Sequence, residues 1–339
     1  MTVLLAVSER SLDHDTGLGH PESSDRLHAA LAGVRQSGVG EAAVPVPARK
    51  ATRAELETVH SGAYLDALER FCLSGGGNID ADTVAAPASW DAALMAAGSG
   101  IDAIERLDRG EGDAAFCLVR PPGHHATRTR AMGFCLINNV AVAAGVLADR
   151  GERVMVLDWD AHHGNGTQDI FWEDGRVLYV SMHETPLYPY SGAIDEMGKG
   201  QGLGLTLNIP LPAGVTGDVE TAALDEVVAP VVDQFRPTWV LVSAGFDAHR
   251  NDPLTGMALS SGDFADLTRR MMEYAPAGRR LLFLEGGYDL EALADCTGAC
   301  TAALVGAEYR PEAPTSGGPG RTALEAVKEF GRRWEDRLA

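Results

Sequence analysis

The chain has 339 residues, of which 45% are hydrophobic, and a formal net charge of −20. This length and composition suit one large α/β domain and exclude a chain that is disordered throughout. The acidic balance argues against a nucleic-acid binder, which needs a basic surface. It is compatible with cationic ligands, although an acidic surface more often only keeps a protein soluble.

The cysteines and the N-terminus bear on cellular location. The five cysteines are odd in number and form no Cys-x-x-Cys pair, which predicts reduced, mostly buried thiols. Residues 1–8 lack the basic start of a signal peptide, and no apolar run is long enough to cross a membrane. We therefore expect a cytoplasmic protein with no membrane or nucleic-acid partner. The sequence leaves open whether it forms a homo-oligomer.

Short apolar runs alternate with helical patterns along most of the chain. Helices are predicted after Pro21, after the capping box at 52–55 and from Ser61, and then over 90–107, 138–148 and 168–172. Strands are predicted at residues 3–7, 41–48, 115–120, 153–160, 177–183, 205–210, 238–247 and 280–285. This alternation is typical of a parallel sheet with helices on both faces.

The chain shows no clear internal boundary, so we predict a single domain over residues 1–339. Its core spans about residues 1–308. A connection rich in Pro, Gly and Ser follows at 309–320, and a closing helix is predicted at 321–337.

Polar side chains follow five of the predicted strands. In an open α/β sheet, ligands bind outside the carboxyl ends of the strands, so these five segments are expected to meet in one cleft. The segments are residues 120–125, 158–162, 181–183, 244–247 and 285–288.

A metal site is predicted at this cleft. Asp158 and Asp160 alternate on a predicted strand, so their side chains point the same way, and His162 continues that alternation. Carboxylate oxygens and an imidazole nitrogen suit Zn²⁺, and Asp247 supplies a third ligand that leaves a position open for water. The alternatives are a structural hydrogen-bond network for the first segment and a helix cap for Asp247.

Two further features suggest catalysis. His124 and His125 follow Pro-Pro-Gly, and a loop can direct both rings into one site where they divide acid and base duties. Tyr288 follows two glycines that permit close backbone approach. The alternatives are a structural histidine pair and an ordinary turn residue.

Other features are interpreted as structural. The glycine-rich segment 198–204 imitates a phosphate-binding loop, but it precedes a strand and lacks the Gly-Lys-Ser/Thr ending. His28 and His60 lie in ordinary helical context, and His249 is expected to be structural or exposed.

Together the motifs form a recognisable set. They resemble the histone deacetylase and acetylpolyamine amidohydrolase family of the arginase–deacetylase superfamily, and residues 158–168 are most similar to its class II branch with bacterial members. The likeness runs from residues 14–26 to about residue 303. It implies a single-domain, three-layer arginase/deacetylase-like α/β fold. The matching motifs are residues 120–126, 133–139, 158–168, 244–247 and 285–288.

The resemblance implies a role for each matching residue. It makes this chain a zinc-dependent amidohydrolase that removes acetyl or short acyl groups from an N-acylated amine, with one Zn²⁺ per chain. Asn165 stands where class I relatives have Asp, which should leave His125 a better base. The implied roles are zinc ligands for Asp160, His162 and Asp247, an acid/base pair for His124 and His125 with partners Asp158 and Asn165, and a transition-state donor for Tyr288.

The resemblance also implies structural potassium sites, held largely by backbone oxygens. The first lies near residues of two predicted strand exits, and a second is expected near Phe171, Asp174 and Val177. The residues of the first site are Asp158, Asp160, His162, Ser181 and Met182.

Gly133, Phe134 and Tyr188 match positions that line an acyl-lysine tunnel. Polyamine-selective members carry a gating glutamate seven residues after the Asp zinc ligand, and Leu254 stands there in this chain. An acyl-lysine substrate is therefore favoured over an acetylpolyamine. The acidic chain, with Asp82 in a rim loop, argues the other way.

Two rival functions remain at this point. Asp160-Ala161-His162 and Asp247-Ala248-His249 also fit a binuclear manganese ureohydrolase, although the first segment lacks a further carboxylate. An inactive acyl-lysine binding module is the other rival, and the presence of His124, His125 and Tyr288 argues against it.

Overall fold

The computed structural model describes the backbone of residues 1–338 and the side chains of residues 1–331. Its centre is an eight-stranded sheet in which each neighbouring pair of strands is parallel. The strands of this sheet are β1 (Val3–Val7), β2 (Ala43–Pro47), β5 (Ala114–Leu118), β6 (Val154–Asp158), β7 (Val177–Glu184), β8 (Thr206–Leu211), β9 (Trp239–Ala244) and β10 (Arg280–Leu284). A separate antiparallel pair consists of β3 (Gly77–Asn78) and β4 (Val84–Ala85).

Helices cover both faces of the sheet. They are α1 (Asp25–Gln36), α2 (Arg53–Glu57), α3 (Gly62–Leu73), α4 (Ser89–Asp108), α5 (Asn139–Asp149), α6 (Asn165–Phe171), α7 (Gly217–Ala223), α8 (Ala229–Phe235), α9 (Ser261–Met271), α10 (Leu290–Val305) and α11 (Arg321–Leu338). A π-helical turn (Leu224–Val228) joins α7 to α8. Within residues 1–338, none of the helices combines the length and the apolar character that crossing a bilayer requires.

The strands are buried on both sides, and successive residues face opposite layers. In β6, Val154 and Val156 pack in the core under α4 and α5, whereas Met155 and Leu157 pack in the core under α9 and α10. A shift of one residue in strand register would exchange the two sets. The predicted parallel sheet with helices on both faces is therefore confirmed.

The order of the strands gathers the polar segments. The sheet runs β2-β1-β5-β10-β9-β6-β7-β8, so β5, β10, β9 and β6 are neighbours at its centre. Because all of them are parallel, their carboxyl ends lie at the same edge. The loops after these four strands carry the residues predicted to bind metal and to catalyse.

The geometry proposed for the first metal segment was wrong in one respect. Strand β6 ends at Asp158, so Asp160 and His162 do not share its alternation. They lie in a turn, where the Asp160 amide donates to the Asp158 carboxylate at 3.2 Å and the His162 amide donates to Asp160 at 2.9 Å. Side-chain acceptors thus replace the strand partners that the backbone has lost.

Two other expectations differ from the structure. His60 is not helical: it lies between α2 and α3, where its Nε2 accepts the backbone amide of Asn138 at 3.0 Å. The helices α7 to α10 were not predicted from the sequence. All five cysteines are buried and unpaired, as predicted.

Candidate active site

Three residues from two strand exits form a compact cluster. Nδ1 of His162 lies 2.9 Å from a carboxylate oxygen of Asp247 and 3.2 Å from one of Asp160. One potential ligand atom from each residue lies within 4.8 Å of the others. Among the residues whose side chains are described, no other group of three or more acidic, His or Cys side chains meets this criterion.

Two glycines beside the cluster leave the room that its carboxylates occupy. A Cβ on Gly245 would lie 2.0 Å from an oxygen of Asp160, and one on Gly286 would lie 2.0 Å from an oxygen of Asp247. The Gly286 amide instead donates to Asp160, and the Ala161 amide donates to Asp247, both at 2.8 Å. Each carboxylate is therefore held in place before any ligand binds.

The cluster carries an excess of negative charge in a buried place. Burial and the neighbouring Asp160 raise the pKa of Asp247 to about 7. Burial disfavours a charged His162, yet Asp247 and Asp160 raise the pKa of its ring well above the usual value. Two carboxylates and one imidazole are a donor set that fits a catalytic Zn²⁺ site.

The two adjacent histidines have different partners. Nδ1 of His124 hydrogen-bonds Asp158 at 3.0 Å, and Nδ1 of His125 hydrogen-bonds Asn165 at 2.8 Å. Their ring centroids are 4.1 Å apart. In both rings the second nitrogen, Nε2, is left for other chemistry.

These partners separate the charge states of the two rings. Burial opposes a charge on His124, but Asp160 and Asp158 raise its pKa to about 10. Burial and the neighbouring His124 and His162 hold the pKa of His125 well below its usual value. One ring therefore keeps a proton while the other is free to accept one.

Tyr288 faces the same space from the loop after β10. Its amide donates to Asp252 at 2.7 Å, and the guanidinium of Arg26 lies 4.9 Å from the centre of its ring. Burial raises the pKa of the phenol well above its ordinary value, so the hydroxyl stays protonated and can donate.

A cavity of about 270 Å³ leads from these groups to the surface. We call its buried end the floor, formed by His124, His125, His162 and Tyr288, and its walls are Gly133, Phe134 and Tyr188. We call its outer end the mouth, formed by Asp82, Leu187, Tyr190 and Leu254.

The walls are rings packed against the floor. The ring centroids of Tyr188 and His125 are 5.3 Å apart, and those of Phe134 and Tyr288 are 5.7 Å apart. Both pairs pack edge-on. A Cβ on Gly133 would lie 2.4 Å from the His125 ring, so a larger residue would displace that histidine. The four residues expected to contact substrate, including Leu254 at the mouth, thus share one cavity with the expected catalytic groups.

The structure shows one contact at each of the expected potassium sites. Asp158 and Ser181 are direct neighbours across β6 and β7. At the second site, the Asp174 carboxylate is engaged by Arg176 at 2.7 Å. Both potassium sites stay predictions.

Two of the features interpreted as structural, His249 and the glycine-rich segment 198–204, make structural contacts. Nε2 of His249 lies 2.7 Å from Glu312, which takes it away from the metal cluster and removes the support for a second ion of the manganese type. In the glycine-rich segment, Gly198 and Gly202 pack against the carbonyl of Trp172 rather than opening a phosphate site.

Several buried residues that support the floor were missed by the sequence analysis. The Glu285 carboxylate accepts the amides of Gly123 at 2.6 Å and His124 at 3.1 Å, and so sets the histidine loop. Arg26 donates to the carbonyls of Glu285 and Gly287 on either side of the turn before Tyr288. Glu285 lies in one of the matching motifs and Arg26 in the first stretch of the likeness, but contacts between such distant positions leave no mark in local spacing.

The parallel sheet with helices on both faces defines an α/β protein. The central carboxyl edge of this sheet gathers carboxylates, imidazoles and a phenol around one cavity. Such a site is suited to metal-assisted hydrolysis. The family model described as "Histone deacetylase domain" matches residues 20–304. The chain belongs to the histone deacetylase family.

Individual relatives agree with this assignment. A probable deacetylase of Archaeoglobus fulgidus is 40% identical over 297 residues, which are 86% of this chain and 82% of that protein. Histone deacetylase 15 of Arabidopsis thaliana is 38% identical over 314 residues, 91% of this chain but 57% of that longer protein. The crystal structure of the HDA15 HD domain matches with a TM-score of 0.88 and 37% identity, covering 96% of this chain and 93% of that one.

These comparisons confirm the resemblance and the single-domain three-layer fold that it implies. They support a hydrolase of the deacetylase type.

Proposed function

We propose that the protein is a zinc-dependent deacetylase that removes acetyl or short acyl groups from acyl-lysine, releasing acetate and a free amine. The observation that carries this proposal is the convergence of three metal-type donors, an imidazole pair of split charge and a phenol at the floor of one narrow cavity. An inactive binding module has no use for this arrangement of proton donor and acceptor.

Asp160, His162 and Asp247 would hold one Zn²⁺ per chain. When bound there, zinc would polarise the amide carbonyl and lower the pKa of water in the site. Structural K⁺ near Ser181 and Met182 and a cytoplasmic location belong to the same proposal, as predictions from the sequence.

The chain's own groups divide the proton transfers. His125 is neutral, and its Nδ1 is occupied by Asn165, so Nε2 accepts the proton of the attacking water. Tyr288 donates its hydroxyl proton as a hydrogen bond to the carbonyl oxygen as negative charge develops there. His124, which Asp160 and Asp158 keep charged, gives a proton to the departing amine.

The shape of the cavity favours a thin apolar chain. Phe134 and Tyr188 line its walls, and a lysine side chain presents four methylenes to them. Leu254 at the mouth offers no charge to a distant ammonium group. We therefore place acyl-lysine ahead of an acetylated polyamine.

One observation favours the polyamine alternative. The carboxylate-bearing Asp82 lies at the same mouth as Leu254, where a second ammonium of a polyamine would emerge. The substrate panel below separates the two.

The test is turnover of an acetyl-lysine peptide, a trifluoroacetyl-lysine peptide and an acetylated polyamine by the purified protein, with metal analysis of the same sample. The proposal predicts turnover of at least one lysine substrate above the polyamine and about one metal ion per chain. Turnover of the polyamine alone would transfer the proposal to the alternative substrate. Absence of all turnover by protein carrying one zinc per chain would contradict it.

A further inference from the structure

An aromatic residue at the mouth has an unusual conformation. Tyr190 has a φ of 62° and a side chain that is 81% exposed. L-residues with a bulky side chain avoid this left-handed region, and glycine is the residue that adopts it freely. No hydrogen bond of the Tyr190 hydroxyl is found among the described side chains and backbone, so hydrogen bonding within residues 1–331 does not explain why a tyrosine stands here.

The backbone beside Tyr190 is held from within the protein. The Tyr190 amide donates to the carbonyl of Leu187 at 2.8 Å. The next residue, Ser191, hydrogen-bonds the buried His163 at 2.8 Å through its hydroxyl. Gly192 then donates to Glu196 and hydrogen-bonds His183 through its carbonyl, both at 3.1 Å.

These hydrogen bonds fix the backbone on both sides of the Tyr190 ring, which itself lies in water. A Cβ on Gly192 would lie 2.6 Å from the His183 ring, so the loop is packed tightly against the buried histidines. An aromatic side chain on a fixed backbone loses little conformational entropy when a ligand covers it, which is why such residues are favoured as binding anchors. Strained conformations of this kind persist where the position serves a function.

Tyr190 lines the same cavity mouth as the apolar Leu187 and Leu254 and the acidic Asp82. Tyr190 and Leu254 are the large hydrophobic residues of the mouth that are exposed, at 81% and 38%. Leu254 is also fixed, because its amide donates to Asp252, the carboxylate that holds the Tyr288 backbone. The mouth therefore presents two apolar side chains on fixed backbones to whatever remains outside when the cavity is filled.

We propose that Tyr190 is a specificity residue that packs against the side chain next to the acyl-lysine of a peptide substrate. The proposal rests on the deacetylase function proposed above. It selects peptides with an apolar neighbour over free acyl-lysine and over polyamines, because an acyl-lysine side chain fills the cavity and leaves its neighbours at the level of Tyr190 and Leu254.

The experiment compares variants on three ligands: an acetyl-lysine peptide with leucine just before the acetyl-lysine, the same peptide with glycine there, and free acetyl-lysine. Tyr190→Ala should raise KM and Kd for the leucine peptide about 2- to 10-fold, the usual value of one aromatic contact, and leave kcat unchanged. Free acetyl-lysine should be unaffected. Tyr190→Phe should behave as wild type, and Leu203→Ala, an exposed leucine away from the mouth, is the matched control.

Tyr190→Gly adds a readout that a purely structural role would not give. Glycine relieves the left-handed backbone, so its Tm should equal or exceed that of wild type while the leucine peptide still binds weakly. Unchanged Kd for the leucine peptide in Tyr190→Ala, or equal losses for all three ligands, would overturn the inference.

Binding and turnover fail separately. If wild type binds the leucine peptide in a Tyr190-dependent manner without hydrolysing it, the inference stands and the proposed function fails. If wild type hydrolyses all three ligands without any dependence on Tyr190, the function stands and the inference fails.

Discussion

At the floor of the cavity, His162 contacts the carboxylates of Asp160 and Asp247, which are buried and held by backbone amides. At the mouth, Tyr190 and Leu254 are exposed, and hydrogen bonds fix only their backbones while their side chains face water. Contacts within the protein thus fix the polar side-chain atoms at the floor, whereas at the mouth they fix the backbone and leave the side chains in water. Chemistry should depend on single atoms of the floor, and substrate choice on the size and charge of side chains at the mouth.

The largest expected effect lies beneath the floor, where Glu22 faces both Arg120 and Arg26 with no exposure. Glu22→Gln should lower the free energy of unfolding by about 3–5 kcal/mol, because it leaves two guanidinium groups buried without their carboxylate. Urea denaturation measures this. Glu57→Gln, which removes a half-exposed partner of Arg53, is the control and should change little.

The same residue should shape stability against pH. Burial disfavours the Glu22 carboxylate, but His14 and Arg120 lower its pKa overall. A lowered pKa gives stability above the unfolded pKa that is lost as the pH falls. Wild type should therefore lose more stability on acidification than Glu22→Gln, and parallel curves would contradict the role of this ion pair.

Next in size is Tyr288→Phe. Removing the hydroxyl that faces the substrate carbonyl should lower kcat about 10²–10³-fold and leave KM nearly unchanged, since the ring still fills its place. Steady-state kinetics with an acetyl-lysine peptide measures this, with Tyr190→Phe as the matched loss of a hydroxyl at the mouth. Near-normal turnover by Tyr288→Phe would contradict the proposed hydrogen bond from the phenol to the carbonyl oxygen of the substrate.

A smaller effect is expected from the partner of His125. Asn165→Asp places a carboxylate on its Nδ1, which should raise the pKa of the ring and move the acid limb of the pH–rate profile to higher pH. A shift of one unit lowers activity about tenfold on that limb. Asn165→Ala supplies no charge and should not move the limb upward; a limb that stays in place with Asp would argue that another group is the base.

The smallest effect is a change of substrate at the mouth. Leu254→Glu introduces a charge beside Asp82 and should raise kcat/KM for an acetylated polyamine about 2- to 5-fold, the value of one exposed ion pair. The acetyl-lysine peptide with glycine before the acetyl-lysine, which has no apolar neighbour to contact residue 254, should be little affected. Leu73→Glu, at an exposed leucine elsewhere, is the control. If kcat/KM of both substrates changed equally in Leu254→Glu, the mouth would not determine substrate choice.

The two regions also differ in how far the sequence predicts them. Asp160 and Asp247 end predicted strands and His162 follows one, and the rule that parallel strands end at one edge is enough to bring them together. The support from Arg26 and Glu285 depends on contacts between positions 259 residues apart, which no local pattern encodes. Tyr190 was not foreseen either, because its significance depends on its φ and on buried histidines that hold the loop behind it.

The most direct test of the account is the metal content of the purified wild type, Asp160→Ala and Asp169→Asn, measured on the same preparation. Asp169 is an exposed acid near the site and serves as the matched control. We predict about one zinc per chain in wild type and Asp169→Asn, and almost none in Asp160→Ala together with loss of turnover. Two ions per chain in wild type, or full metal content in Asp160→Ala, would contradict a single ion held by Asp160, His162 and Asp247.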